Sequence, residues 1–104
     1  MKLPDLNLLP DWDEDNILHI ARHNITPEQV EEVYYSEGIL ATVAVKKQRT
    51  AGREFRYRLW GTDAAGNYIE VIIAIFPQYG VWRCVTAYRM NQGAKKAYMK
   101  RVRR

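Results

Sequence analysis

The spacing of apolar residues changes at Ile39, and that change constrains the fold more than any other feature. Before Ile39 the apolar side chains recur every three or four residues, as in amphipathic helices. From Ile39 they alternate, as in strands. The element order α-α-β-β-β-β-α follows. We therefore predict an α+β fold in which two N-terminal helices precede a four-stranded antiparallel meander sheet, and a basic helix ends the chain.

The chain has 104 residues, which suits one domain with one modest core. We take residues 1–104 as a single domain, with 1–11 as an extended lead-in and 12–104 as the folded part. Asp13 is a good N-cap for the first helix, and Asn24 suits a left-handed residue at its end. Thr26 and Gln29 form a capping box for the second helix, with Pro27 at its first position.

The predicted strands and the last helix carry most of the cations. If the helices cover Phe55, Tyr57 and Leu59, then Arg56, Arg58 and Trp60 lie on the open side of the sheet. Strict alternation in the last strand divides its residues into two sets, and the sequence does not say which set is open. The predicted strands are Ile39–Gln48, Glu54–Gly61, Tyr68–Phe76 and Val81–Arg89. In the last of these, one set is Arg83, Val85, Ala87 and Arg89, and the other is Trp82, Cys84, Thr86 and Tyr88.

Charge is distributed unevenly along the chain. Residues 1–37 carry nine acids and two cations, a net −7, whereas residues 38–104 carry fourteen cations and three acids, a net +11. The last carboxylate side chain is that of Glu70. A cationic sheet face that leads into a cationic helix is typical of binding to phosphates or to an acidic partner. A solvated basic face without a ligand is the alternative from charge alone.

Several kinds of site have little support in the sequence. Cys84 is the single cysteine, which rules out an intramolecular disulfide and is most simply a buried thiol. His19 and His23 have a metal-compatible spacing, but no third ligand lies near them in sequence, so we expect no metal site. No phosphate loop is present, and we expect no cofactor. Without a signal peptide or an apolar run, we expect a cytoplasmic protein with no membrane association.

Four short segments together resemble the BrnT toxins. They are Trp12-Asp13, Arg22–Ile25 (RHNI), Arg56–Gly61 (RYRLWG) and Arg83–Arg89 (RCVTAYR), and they follow the order and spacing of the family's motifs. The similarity covers roughly residues 12 to 100. Where the family has Ser and then Arg in the last strand, this chain has Thr86 and Tyr88, followed at once by Arg89.

The resemblance implies a RelE-like fold and the role of a ribonuclease toxin in a type II toxin–antitoxin pair. RNA and a cognate antitoxin are then the expected partners, and a homo-oligomer stays open. The alternatives are an inactive RelE-like domain that binds nucleic acid or an acidic protein, and a structural protein. The expected catalytic residues are Arg56, Arg58, Arg83, Tyr88 and Arg89. The expected RNA-binding residues are Lys46, Lys47, Arg49, Trp60, Thr86, Lys95 and Lys96. Lys46 or Lys47 is a further candidate for proton transfer.

Overall fold

A computed structural model describes residues 7–36, 39–43 and 55–102. The helices and strands follow the predicted order, with one strand more than expected. A single 3₁₀ turn, Pro77–Tyr79, precedes the last strand, and Gly80 after it has φ 70°. The elements are β1 (Leu9–Pro10), α1 (Glu14–Ala21), α2 (Pro27–Tyr34), β2 (Leu40–Val43), β3 (Phe55–Thr62), β4 (Tyr68–Phe76), β5 (Val81–Arg89) and α3 (Gln92–Val102).

The sheet is mixed and has five strands in the order β1-β5-β4-β3-β2, so the prediction of four purely antiparallel strands is wrong. The additional strand comes from the lead-in and runs parallel to β5. The Leu9 N–H donates to the Gly80 carbonyl at 3.0 Å, and the Asp11 N–H donates to the Trp82 carbonyl at 2.9 Å. These bonds pair backbone groups at the start of β5 that would otherwise lie at a sheet edge.

Both N-terminal helices begin with the predicted caps. The Asp13 side chain accepts from the Asn16 N–H, and Thr26 and Gln29 form the reciprocal capping box. Asn24 has φ 62°, the left-handed conformation predicted at the end of α1. Local sequence therefore determines where these helices begin, because each cap satisfies backbone donors that have no partner within the helix.

The core lies between α1, α2 and one face of the sheet. Ile20 on α1, and Val30 and Val33 on α2, are fully buried, as are Leu59 and Val71 on the two central strands. This side of β3 is the one predicted to be covered. The opposite side carries Arg56, Arg58 and Trp60, as expected.

The predicted alternation of β5 is wrong beyond Cys84, because the strand contains a bulge. Cys84 pairs with Ile73 and Thr86 pairs with Ile72, so Val85 has no partner in β4. The extra residue reverses the side-chain parity along the rest of the strand. Trp82, Cys84, Ala87 and Arg89 consequently share the parity of the helix-covered side, whereas Arg83, Thr86 and Tyr88 share the other.

α3 follows β5 and packs against the end of the sheet. Its Tyr98 is buried, with its ring centroid 5.9 Å from that of Tyr68. Farther along the helix, Arg101 shares a small cleft of about 70 Å³ with Arg58 and Trp60. The basic helix therefore brings a cation to the side of the sheet that bears the arginines. In the described part of the chain, no helix is both long and apolar enough to cross a membrane.

Candidate functional site

The candidate site lies on the side of the sheet away from the buried core, which we call the arginine face. Three cross-strand rows define it: Arg56, Ala74 and Arg83; Arg58, Ile72 and Thr86; Trp60, Glu70 and Tyr88. Residues directly opposite each other on neighbouring strands project to the same side of a sheet. The fold therefore brings together six of the predicted site residues on one surface.

Glu70 is the centre of a polar network on this face. It accepts from the Tyr88 hydroxyl at 2.9 Å and from the Trp60 indole N–H at 2.9 Å. The Arg58 Nε lies 3.4 Å from the same carboxylate, whose side chain is 12% exposed. One carboxylate thus orients three side chains, all of which were expected from the sequence to contact or cleave RNA.

The Tyr88 hydroxyl is held in its protonated form. Burial raises the pKa of Tyr88, and the hydrogen bond to Glu70 raises it further. Arg58 has a smaller opposing effect on that pKa. Tyr88 is therefore suited to donate a hydrogen bond and poorly suited to give up its proton near neutral pH.

Arg83 is engaged by side chains from the start of α1 and the residues before it. Its Nη1 donates to Asp11 at 2.7 Å, and its Nη2 donates to Asp13 and, at 3.0 Å, to Asn16. The backbone N–H of Asn16 and, to a lesser extent, Arg83 hold the pKa of Asp13 below its ordinary value. These contacts join α1 to β5, so Arg83 has a structural role beside any role toward RNA.

Two histidines, His19 on α1 and His23 just after its end, lie against the arginine face. The His19 Nε2 lies 3.1 Å from the Thr86 hydroxyl, within hydrogen-bonding distance. The His23 ring meets the His19 ring edge to face at 5.8 Å and the Tyr88 ring at 5.9 Å. The two histidines, to which no role is assigned from the sequence, thus adjoin two of the expected site residues.

A shallow cleft of about 260 Å³ opens on the same face. Arg56, Arg83 and Asn16 supply its polar lining, and Phe76 and Val85 supply much of its apolar lining. Such a cleft offers both cationic donors and an aromatic ring to a nucleotide, a combination common in single-strand binding.

Several expected site residues lie elsewhere. Arg89 is exposed and pairs with the buried Ile69, so it does not belong with Arg83 as predicted. The bulge at Val85 is the reason. On α3, the Lys95 ammonium lies 5.0 Å from the centre of the Tyr68 ring, and Lys96 is exposed. Lys46, Lys47 and Arg49 lie outside the described residues.

The buried thiol expected at Cys84 is confirmed. Cys84 is 1% exposed, and burial raises its pKa to about 12. Since the thiolate is the reactive form, this side chain is not a nucleophile at neutral pH. Within residues 7–36, 39–43 and 55–102, no group of three His, Cys, Asp or Glu side chains could hold a metal ion.

Sequence reasoning missed three contributors to the site. Glu70 was noted only as the last acid, although a carboxylate inside the apolar run Tyr68–Phe76 is the kind of signal that marks a buried polar contact. His19 and Arg101 gave no comparable signal, because their proximity to the arginine face depends on how α1 and α3 pack. No protein-family model matches the chain, and comparison with curated proteins finds no relative.

Proposed function

We propose that this chain is an endoribonuclease that needs no metal and acts as the toxin of a type II toxin–antitoxin pair. The observation that carries the proposal is the grouping of Arg58, Tyr88 and Glu70 beside His19. Cleavage of RNA by its own 2′-hydroxyl requires a base, cationic donors for the phosphate and an acid for the leaving oxygen. Glu70 contacts Arg58 and Tyr88 on the arginine face, and His19 contacts Thr86, two residues before Tyr88 in β5.

The proposed reaction follows the chemistry of the RNA itself. The 2′-hydroxyl loses its proton as its oxygen bonds to phosphorus, and the bond from phosphorus to the 5′-oxygen breaks as that oxygen gains a proton. The products are a 2′,3′-cyclic phosphate and a 5′-hydroxyl. Guanidinium donors stabilise the charge that grows on the phosphate oxygens, often the largest single catalytic contribution. Arg58 is the residue we assign to this task, with Arg56 and Arg101 near it.

A second function is favoured by two features of the arginine face. Arg58 is paired with Glu70, and Arg83 is paired with Asp11 and Asp13, so part of the cationic charge of this face is already balanced. Tyr88 also stands where the BrnT pattern has an arginine. An inactive domain of the same fold, which binds RNA or an acidic protein without cleaving it, is consistent with both features.

The first test is growth after induction of this chain alone and together with the neighbouring small gene. We expect growth arrest that the neighbour reverses. In parallel, purified protein is incubated with cellular RNA in EDTA, and the ends of the products are mapped. Cyclic phosphate ends support the proposal. Binding without cleavage, weakening steeply as salt rises, would instead establish the second function.

A matched pair of variants tests the assignment of the arginine face. Arg58→Gln removes a cation beside Glu70, and we expect the cleavage rate to fall by about 100-fold or more. Arg89→Gln makes the same chemical change on the other side of β5, and we expect a rate within about threefold of the unmodified protein, because screened surface charges contribute little. Equal losses in both variants would contradict the assignment.

A further inference from the structure

We propose that His19 transfers a proton during the RNA cleavage and that Thr86 positions it. The inference rests on the proposed function and extends it by naming a catalytic residue that the sequence pattern does not indicate. It stands on the docking of α1 against β5, which places an imidazole at the border of the arginine face.

His19 and Thr86 are in contact between α1 and β5. His19 is partly buried, and its Nε2 lies 3.1 Å from the Thr86 Oγ1. A hydroxyl can donate to a ring nitrogen or accept from it, so this contact orients the ring in either tautomer. Thr86 stands opposite Ile72, which stands opposite Arg58. The imidazole therefore lies at one end of the row that has the proposed phosphate-binding arginine at the other.

Tyr88 and Glu70 are less suitable than His19 for proton transfer. The Tyr88 hydroxyl already donates a hydrogen bond to Glu70, and burial together with that contact raises the pKa of Tyr88. Glu70 itself accepts from Tyr88 and from Trp60 and faces Arg58, so its oxygens are occupied. Histidine is the side chain most often used for general acid–base catalysis. The Nε2 of His19 lies within hydrogen-bonding distance of the Thr86 hydroxyl, whereas His23 meets the Tyr88 ring edge to face.

Several charged or titratable groups surround His19 and influence how the rate depends on pH. His23 lies just after α1 with its ring against that of His19, and Tyr88 and Arg83 lie on β5. Glu70 on β4 and Arg58 on β3 lie beyond Tyr88. A pH profile of the unmodified protein therefore reports on the whole group. The difference between that profile and the profile of a His19 variant isolates the contribution of His19.

The decisive experiment compares two RNA substrates with the full-length protein. One is the natural RNA, and the other has sulfur in place of the 5′-bridging oxygen at the mapped cleavage site. The thiolate departs without gaining a proton, so the second substrate needs no general acid. His19→Ala is expected to cleave the natural RNA at least about 100-fold more slowly than the unmodified protein, because a proton transfer is lost. If the sulfur substrate restores the rate of His19→Ala, His19 is the acid. If the sulfur substrate does not restore that rate but added imidazole does, His19 is the base.

Four further measurements separate catalysis from structure. Thermal unfolding of His19→Ala and His19→Asn checks that both variants fold. Added imidazole is expected to restore part of the cleavage rate of His19→Ala. It would not restore a rate that was lost through a packing defect. Leu18→Asn, a change at the exposed neighbouring position of α1, is expected to leave the rate unchanged. Thr86→Val is expected to lower kcat several-fold with little change in KM, because the ring loses its orientation.

The outcomes distinguish this inference from the proposed function. If the unmodified protein cleaves neither substrate, the proposed function fails and the inference fails with it. If the unmodified protein cleaves both substrates and folded His19 variants match its rate and pH profile, the inference alone is overturned. A rate loss that imidazole cannot restore, accompanied by a lower unfolding temperature in both His19 variants, would also overturn it.

Discussion

Asp63 is an acid that this fold buries, and its contacts show how a single side chain connects two parts of the chain. It is 6% exposed in the turn between β3 and β4. Its oxygens accept from the backbone N–H groups of Ala65 and Asn67, from the Asn67 amide at 2.8 Å and from the Gln29 amide at 2.8 Å. Gln29 belongs to the capping box of α2. Asp63 therefore links the start of a helix to a turn that lies far from it in sequence.

These contacts give Asp63 a marked effect on how stability depends on pH. Burial acts to raise its pKa, but the hydrogen bonds from Asn67, Gln29 and the turn backbone outweigh burial and lower the pKa from 3.8 to about 2. Because the folded pKa lies below the unfolded pKa, the stabilisation is complete above pH 4 and is lost as the pH falls from 4 through 2. The shift corresponds to about 2 kcal/mol.

We predict that Asp63→Asn lowers the free energy of unfolding by about 2 kcal/mol at pH 7, with a smaller loss relative to the unmodified protein at pH 2. Urea unfolding at several pH values measures this difference. Asp15→Asn, at an exposed position in the first turn of α1, is the control and is expected to cost only a few tenths of a kcal/mol. If Asp63→Asn lowers the free energy of unfolding by the same amount at pH 2 and at pH 7, ionisation of Asp63 does not contribute to stability as predicted.

At the scale of elements, the close approach of α2 to β3 depends on one glycine. A Cβ at Gly61 would lie 3.1 Å from the Ser36 Oγ and 3.2 Å from the Val33 Cγ1. Val33 is fully buried, so it has little space to move. The absence of a side chain at Gly61 therefore lets the helix pack directly on the strand, which is a matter of space and not of backbone conformation.

We predict that Gly61→Ala lowers the free energy of unfolding by about 1–3 kcal/mol, the usual cost of adding a methyl group to a packed core. Gly93→Ala is the matched control at the start of α3, where the nearest atom to an added Cβ is the Asn91 Oδ1 at 3.5 Å. The control is expected to be neutral or slightly stabilising, since alanine favours helix. Thermal or urea unfolding measures both variants. Equal effects in the two would contradict the packing explanation.

For the molecule as a whole, Arg83 and its acidic partners help to determine where α1 lies on the sheet. The contacts connect residues about 70 positions apart in sequence. Trp12, between the two acids, packs edge-on against Trp82 at 6.4 Å and donates to Glu31 at 2.8 Å. Polar and aromatic contacts thus hold the beginning of α1 against β5 and, through α1, hold His19 beside Thr86.

We predict that Arg83→Gln and Asp11→Asn each reduce stability by about 1 kcal/mol or less, because these side chains are 31% and 46% exposed and solvent weakens their attraction. The double variant is expected to lose less free energy of unfolding than the sum of the two single losses, by about 0.5 kcal/mol. Urea unfolding followed by tryptophan fluorescence measures the stability of the unmodified protein, the two single variants and the double variant. If Arg83→Gln abolishes cleavage while Asp11→Asn increases it, Arg83 contacts RNA directly and Asp11 competes with the phosphate.

Much of the local structure follows from the sequence. The caps at Asp13 and Thr26, the left-handed Asn24, and the bounds of β4 and β5 agree with the predictions, because each depends on residues within one turn or one alternating run. The choice of Leu59 for the covered side of β3 also follows from its alternation. For the candidate site, alternation correctly grouped Arg56, Arg58 and Trp60 on one side of the sheet.

Only the tertiary structure decided the rest. The lead-in becomes β1 because β5 offers backbone groups that need partners, and no local pattern in Leu9–Pro10 indicates that pairing. Thr86 and Tyr88 join Arg83 on one face because Val85 has no partner in β4, and a bulge forms only when two strands are registered against each other. His19 and Glu70 enter the site for the same reason: their neighbours belong to other elements, and contacts between elements depend on packing that a single segment does not specify.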